Sequence, residues 1–414
     1  MKQRKRMGRR PTTIAVAGLA LVCGAGAASS PAGAQGLAQE VTVRLGSEVV
    51  TNPYLEEGDQ GVSVNGTAEI RPRLAYADSI TQFDLEAFAR GSAYVDKYDF
   101  EDNYGASASV SQRLSEQLKV LMSASFQSTV SQPYAGLWPV DGGVAIPGEP
   151  SIPQTPGDVT VLGQRGRTTS ISARAGAEYA LDARNQLAFD GSYRTVSLTQ
   201  VGAEEYDIAG FEGRYTRVVD ARTSVGVTAG YRLFDYQDAG LADAHSFSLL
   251  GSVSLLLDQA WTLSASGGVE RTRLDQTPAA AAYTRTSFTG SASLCRADSR
   301  EQFCLNYSRQ SEPTSYAGIR NSDAVGVSYN RRLTEYDSVT LGGTYSRNGG
   351  FGSGLSALPA TSLVGVRGGF NHRFGERLTG YVEASVDRLY RRDLSIDPRV
   401  RLGAGISYVF GRSG

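Results

Sequence analysis

Past residue 34, this 414-residue chain holds no apolar run approaching the roughly 20 residues that a helix needs to cross a bilayer. Helical membrane spans are therefore excluded from its body. Histidine occurs twice and cysteine three times, and neither His245 nor His372 lies near Cys295 and Cys304 in sequence. A metal site is not expected from so sparse a donor set. There is no glycine-rich phosphate loop, no paired catalytic carboxylate motif and no metal-ligand spacing, so no cofactor and no enzymatic activity are expected. Asp243, His245 and Ser246 stand together, but neighbours on a strand point to opposite faces and cannot form a triad. Lysine and methionine are scarce. A basic excess is also missing: setting aside the six basic residues before Gln35 takes the formal net charge from −1 to −7. That is not a nucleic-acid footprint.

The start of the chain carries Lys2, Arg4, Lys5, Arg6, Arg9 and Arg10, then an apolar stretch over 14–26, then Ala32-Gly33-Ala34 before Gln35. This order reads as a secretory signal peptide over 1–34. A lipoprotein would use Cys23, but Val22 stands where a small residue is normally required. The mature chain, 35–414, is expected in the periplasm, in the outer membrane or outside the cell.

Glycine, serine, alanine and tyrosine are abundant, and mean hydropathy is negative. From Val41 to Phe410 one unit repeats: a strand-length stretch of alternating apolar and polar residues, then a break. Val62, Val64, Ile70, Leu74 and Tyr76 share one face of such a stretch, and Ser63, Asn65, Glu69, Arg71 and Arg73 share the other. Period two is the signature of a strand with unlike faces. The breaks alternate between two- or three-residue polar turns and longer acidic loops. That rhythm favours a transmembrane antiparallel up-and-down β-barrel, greasy outside and wet inside, over a soluble sandwich. No linker divides the chain. About eighteen strands are expected, running from 41–50 and 62–76 to 378–390 and 398–410, with sixteen as the runner-up because 206–218 and 301–309 are less regular.

Tyr76, Tyr179, Trp261, Phe374 and Tyr408 lie on the apolar face beside short turns. Tyr104, Phe126, Tyr193, Tyr231, Tyr307 and Tyr345 lie on it near long loops. Two aromatic girdles against outer-membrane lipid are the expected meaning. His372 falls in the same lipid-facing row. Gly403, Gly405, Ile406, Tyr408 and Phe410 resemble a C-terminal assembly signal of outer-membrane proteins.

The inward face is expected to carry Arg71, Arg73, Arg90, Arg113, Arg174 and Arg194, with Phe88 and Tyr381 as aromatic platforms. Inward acids are fewer. Two readings stand side by side: a mildly basic channel guiding an anionic solute, or a network of salt bridges stiffening the wall. The segment 131–164, rich in proline, is the candidate constriction, folding into the pore or standing outside it. Cys295 and Cys304 flank one short turn, with Leu294 and Phe303 as their outward neighbours. Both cysteines should then face the lumen on adjacent strands and form a disulfide in an oxidising compartment.

Thr51-Asn52-Pro53-Tyr54 with Glu56, Glu57 and Asp59, then Ile70-Arg71-Pro72, then Leu294-Cys295-Arg296 with Phe303-Cys304-Leu305, together resemble the β-barrel porin type 2 family, whose members often accompany exopolysaccharide genes. The resemblance implies a role in carrying an anionic or neutral surface polysaccharide across the outer membrane, with periplasmic export components as partners. The residues themselves leave two alternatives open: a passive diffusion porin for small solutes, and a structural or adhesive barrel.

The alternation predicts that the mature chain requires detergent or lipid, gives a β-rich circular dichroism spectrum and migrates differently in gels before and after boiling. Full solubility without detergent would contradict the barrel.

Overall fold

The computed structural model describes residues 37–58, 61–130, 158–237, 242–276, 282–316, 318–349, 360–392 and 394–412. The expected signal peptide lies outside the described residues. The strands are β1 (Leu37–Thr51), β2 (Val62–Ala77), β3 (Thr81–Tyr94), β4 (Glu101–Arg113), β5 (Leu118–Val130) and β6 (Arg167–Ala180). They continue with β7 (Asn185–Leu198), β8 (Tyr206–Val218), β9 (Thr223–Tyr236), β10 (Ala244–Leu256), β11 (Trp261–Leu274) and β12 (Tyr283–Ala297). The last six are β13 (Glu301–Thr314), β14 (Gly318–Arg332), β15 (Asp337–Asn348), β16 (Thr361–Arg373), β17 (Leu378–Arg391) and β18 (Arg399–Arg412). Each pairs antiparallel with its neighbours in sequence, and β18 pairs with β1 from Gln39–Arg412 to Val50–Arg401. The sheet therefore closes as an 18-stranded barrel. Sixteen strands is set aside, because the two irregular stretches are full members of the wall.

The sequence alternation decides which way each strand faces. Outward positions are apolar and open: Val62 is 64% exposed and Phe374 65%. Inward positions are polar and enclosed: Ser63, Asn65, Glu48 and Glu270 are buried. Burial is inverted relative to a soluble protein, where exposed apolar area would cost about 25 cal/mol per Å². Lipid removes that cost, so the apolar belt marks a membrane-facing wall.

Polar first residues set seven of the eight short turns. Asp78, Asp182, Asp258 and Asp298 each accept backbone N–H groups two and three residues on, at distances such as 2.7 and 2.8 Å for Asp258 with Ala260 and Trp261. Asp220 accepts from Arg222 at 2.7 Å. Ser115 and Thr334 accept the same pair with a hydroxyl. The side chain mimics a backbone turn and fixes where the chain reverses, hence the register.

Two other devices hold register. The Tyr381 ring lies across Gly46 and Gly405, where an added Cβ would overlap its hydroxyl. Cys295 pairs with Cys304 in the ladder, 4.1 Å apart at Cα, and the two are disulfide-bonded beside the Asp298 turn. Pro72 sits on β2 where its nitrogen would face β3, and the β2–β3 ladder skips Arg71 and Pro72 before resuming at Arg73–Glu86.

The turn aspartates give a pH signature. Backbone N–H donors hold Asp78, Asp182, Asp220, Asp258 and Asp298 below the ordinary carboxylate range. A depressed folded pKa gives stability that is present above the unfolded value, near 3.9, and lost as pH falls through the folded one. Thermal unfolding in detergent should therefore shift down between pH 5 and pH 2, approximate limits set by that value. Replacing all five by asparagine, which keeps the cap without the charge, should flatten this part of the profile. Peptide mapping without reductant should recover the Cys295–Cys304 link; two free thiols in protein from native membrane would contradict it.

Candidate functional site: the lumen and its narrowed end

Most inward arginines are drawn to carboxylates on their own strand, the next strand or the next but one. Arg73 meets Asp84 at 2.7 Å, Arg90 meets Glu48 at 2.6 Å, and Arg174 meets Asp190 at 2.9 Å. Arg71 bridges Glu69 and Glu86. Arg232 meets Glu270 at 2.7 Å and Glu312 at 3.7 Å. Arg399 and Asp387, both almost fully buried, form a two-point pair at 2.5 and 3.0 Å. Arg44 instead lies over the Tyr381 ring, 4.1 Å from its centroid. Arg113 and Arg194 face the lumen with no carboxylate in salt-bridge range among the described residues. Phe88 packs over Gly105 on β4. The wall-stiffening network is thus the better description of most of these arginines. Sequence alternation placed them on one face but could not say which acid each would meet, because partners come from cross-strand register.

The end of the barrel opposite the short turns is narrowed by the chain itself. Three segments fold inward. The first is the residue run after β1. Asn52, at φ +42°, donates to the carbonyls of Glu56 and Asp397 and accepts from the Glu56 N–H. This tight knot drives Tyr54 and Leu55 to zero exposure. The family-like Thr51-Asn52-Pro53-Tyr54 run is therefore a structural lock, reinforced by Arg399 reaching the Pro53 carbonyl.

The second segment is the end of the proposed constriction. Residues 131–157 lie outside the described residues. Residues 158–164 lie within the barrel, where a single 3-10 turn, Val159–Val161, is capped by Asp158. Val159 and Leu162 pack with Leu55, Leu363, Leu389 and Ile396 on one side. Val161 packs with Val196, Leu198, Tyr206, Phe234, Tyr236 and Ile319 on the other. One short turn thus ties two opposed parts of the wall.

The third segment was not expected. β13 and β14 remain paired to the tip at Thr314–Gly318, but β13 pairs with β12 only as far as Arg309–Gly290. Above that row the hairpin leaves the wall and enters the lumen. Ser311, Thr314, Ser315, Ile319 and Arg320 are buried there. Ser315 donates its N–H to Asp158 at 2.6 Å and accepts from the Glu204 N–H at 2.8 Å. The Tyr316 hydroxyl lies 2.7 Å from Gln164 Oε1 and 3.2 Å from the Val201 carbonyl. The one sequence signal was Pro313, a proline within a strand pattern.

No family model and no curated protein matches the sequence. Among solved structures, the chain is similar to OccK2 (OpdF) of Pseudomonas aeruginosa, at 12% identity and TM-score 0.44 over 91% of this chain and 98% of that one. It is similar to OprD of the same organism at 12% identity and TM-score 0.43, over 91% and 96%. The siderophore receptor PirA of P. aeruginosa gives 9% identity and TM-score 0.45, over 92% and 81%.

Leu55→Ala, which deletes a fully buried side chain, should cost the inward packing about 2–5 kcal/mol. Limited proteolysis should then cut near residues 52–57 at least tenfold faster while boiling-sensitive migration of the barrel persists. Unchanged cleavage would contradict the packed mouth.

Proposed function

We propose that the protein is an outer-membrane channel for passive diffusion of small polar solutes. The observation that carries this reading is the inverted barrel: a closed wall with an apolar outer belt and a bore lined by paired charges and hydroxyls. Barrels of 16–18 strands are wide enough to hold an aqueous channel. Fixed ion pairs present alternating charges along the wall, so polar solutes exchange water for many weak contacts without being trapped. Tyr54, Leu55, Val159, Val161, Leu162 and the 310–321 hairpin narrow the far end and set a small size limit. Outer-membrane lipid is the expected partner of the belt.

Export of an anionic or neutral exopolysaccharide, with periplasmic components, is the reading implied by the family resemblance. A polymer needs a continuous bore, and the inward segments weigh against it.

Reconstituted in planar bilayers, the protein should give small discrete conductance steps, and liposomes carrying it should swell in amino acids and monosaccharides but not in oligosaccharides. Asp158→Ala, which removes the acceptor for Ser315, should raise unit conductance severalfold. Absence of any conductance in both proteins would favour the structural reading. Loss of surface polysaccharide on gene deletion, with solute uptake unchanged, would favour export.

A further inference from the structure

The lumen is not uniform around its circumference. Cross-strand register sets Ser252, Ser266, Ser291 and Ser308 side by side on β10, β11, β12 and β13. In the next lumen-facing row toward the short turns, Ser254, Ser264, Ser293 and Asn306 stand on the same four strands. All eight share the parity of Glu270 and of the Cys295–Cys304 pair, so they face the bore, and all eight are half-buried. β14 and β15 extend the two rows with Ala324 and Gly326, then with Ser346 and Thr344. Among the described residues, no lumen-facing side chain on β10–β15 carries a charge between the Glu270 row and Arg332.

A serine hydroxyl has one donor and two acceptor lone pairs, and it rotates to suit its partner. The rows spend part of that capacity on themselves: Ser266 Oγ lies 2.9 Å from Ser291 Oγ, and Ser254 Oγ lies 3.4 Å from Ser264 Oγ. The remainder is open to water or to a solute in the bore. A polyhydroxylated molecule can trade water for such a face group by group, because each hydroxyl meets a partner able to give or to accept. An ion cannot: leaving water costs it far more, and this face offers no countercharge. The ion pairs stand on other strands, among them Arg73–Asp84, Arg90–Glu48, Arg174–Asp190 and Arg399–Asp387, and their opposite charges largely cancel for a passing ion. Arg113 and Arg194, which have no carboxylate in range, lie on β4 and β7, outside the serine rows.

We propose that this serine-lined face is the specificity element of the channel, and that it selects uncharged polyhydroxylated solutes, of the sugar-alcohol class, over ions of the same size. Ser252, Ser266, Ser291 and Ser308 are the residues that touch the solute. Repeated weak contacts along a wall favour entry without holding the solute at one point. The inference rests on the diffusion reading and adds which polar solutes pass most readily.

The test uses the full mature protein in liposomes, with radiolabelled sorbitol and gluconate as a pair of similar size that differ in one carboxylate. Sorbitol should enter severalfold faster than gluconate. In Ser252→Ala/Ser266→Ala/Ser291→Ala/Ser308→Ala, sorbitol entry should slow severalfold, while gluconate entry and potassium chloride conductance stay as in the wild type. A merely structural role for the serines would change all three together. Ser266→Ala/Ser291→Ala should give a smaller loss in the same direction, and this variant decides if the quadruple one does not fold. Equal entry of the two solutes through the wild type, or sorbitol entry indifferent to the alanines, would overturn the inference and leave the diffusion reading standing. No entry of either solute, with no conductance, would overturn both.

Discussion

Backbone hydrogen bonding against lipid is the constraint on which the rest depends. Inside a bilayer there is no water to satisfy a peptide group, so a sheet must close on itself or leave its edge in a polar cavity. Eighteen strands close here through β1 and β18. Once the wall is closed, side-chain alternation has to place apolar groups outward and polar groups inward. The inward polar groups then have to find partners, because an enclosed unpaired charge is expensive. The ion pairs across β2–β3, β6–β7 and β9–β11 follow from this, as does the burial of Glu270 and Asp387 beside arginines.

The same constraint explains why the departure of one hairpin matters more than a loop of similar length would. β13 and β14 give up wall pairing above Arg309 and Asn321, and the lumen replaces it. Glu270 takes the Ser311 N–H, Asp158 takes the Ser315 N–H, and Tyr236 donates to the Thr314 carbonyl at 3.3 Å. The hairpin, the 158–164 segment and the knot at Asn52 thus support one another. Together they turn a wide barrel into one with a packed apolar mouth over a polar bore.

Much of this was legible in the sequence. Period two gave the strands and their faces, and the Asp, Ser and Thr positions gave the short turns. The parity of Leu294 and Phe303 put Cys295 and Cys304 on one face. Arg71, Arg73, Arg90, Arg113, Arg174 and Arg194 were assigned to the lumen by the same parity. Their pairing was not legible, since Arg73 with Asp84 or Arg232 with Glu270 depends on register between strands. The inward hairpin was missed for a different reason. Residues 310–321 look like a long loop between 301–309 and 322–333, and an alternating pattern does not say whether a strand stays in the wall. Pro313 was the local clue, but Pro72 shows that a proline can also be absorbed by a skipped rung.

The central claim is that the β13–β14 hairpin lies across the lumen instead of completing the wall beside β12. Pulsed electron paramagnetic resonance between nitroxides at Val201, on the loop after β7, and Tyr316, at the hairpin tip, measures this directly in lipid. The account predicts one short distance at the lower limit of the method. A long distance, comparable with the width of the barrel, would place the hairpin back in the wall and contradict it.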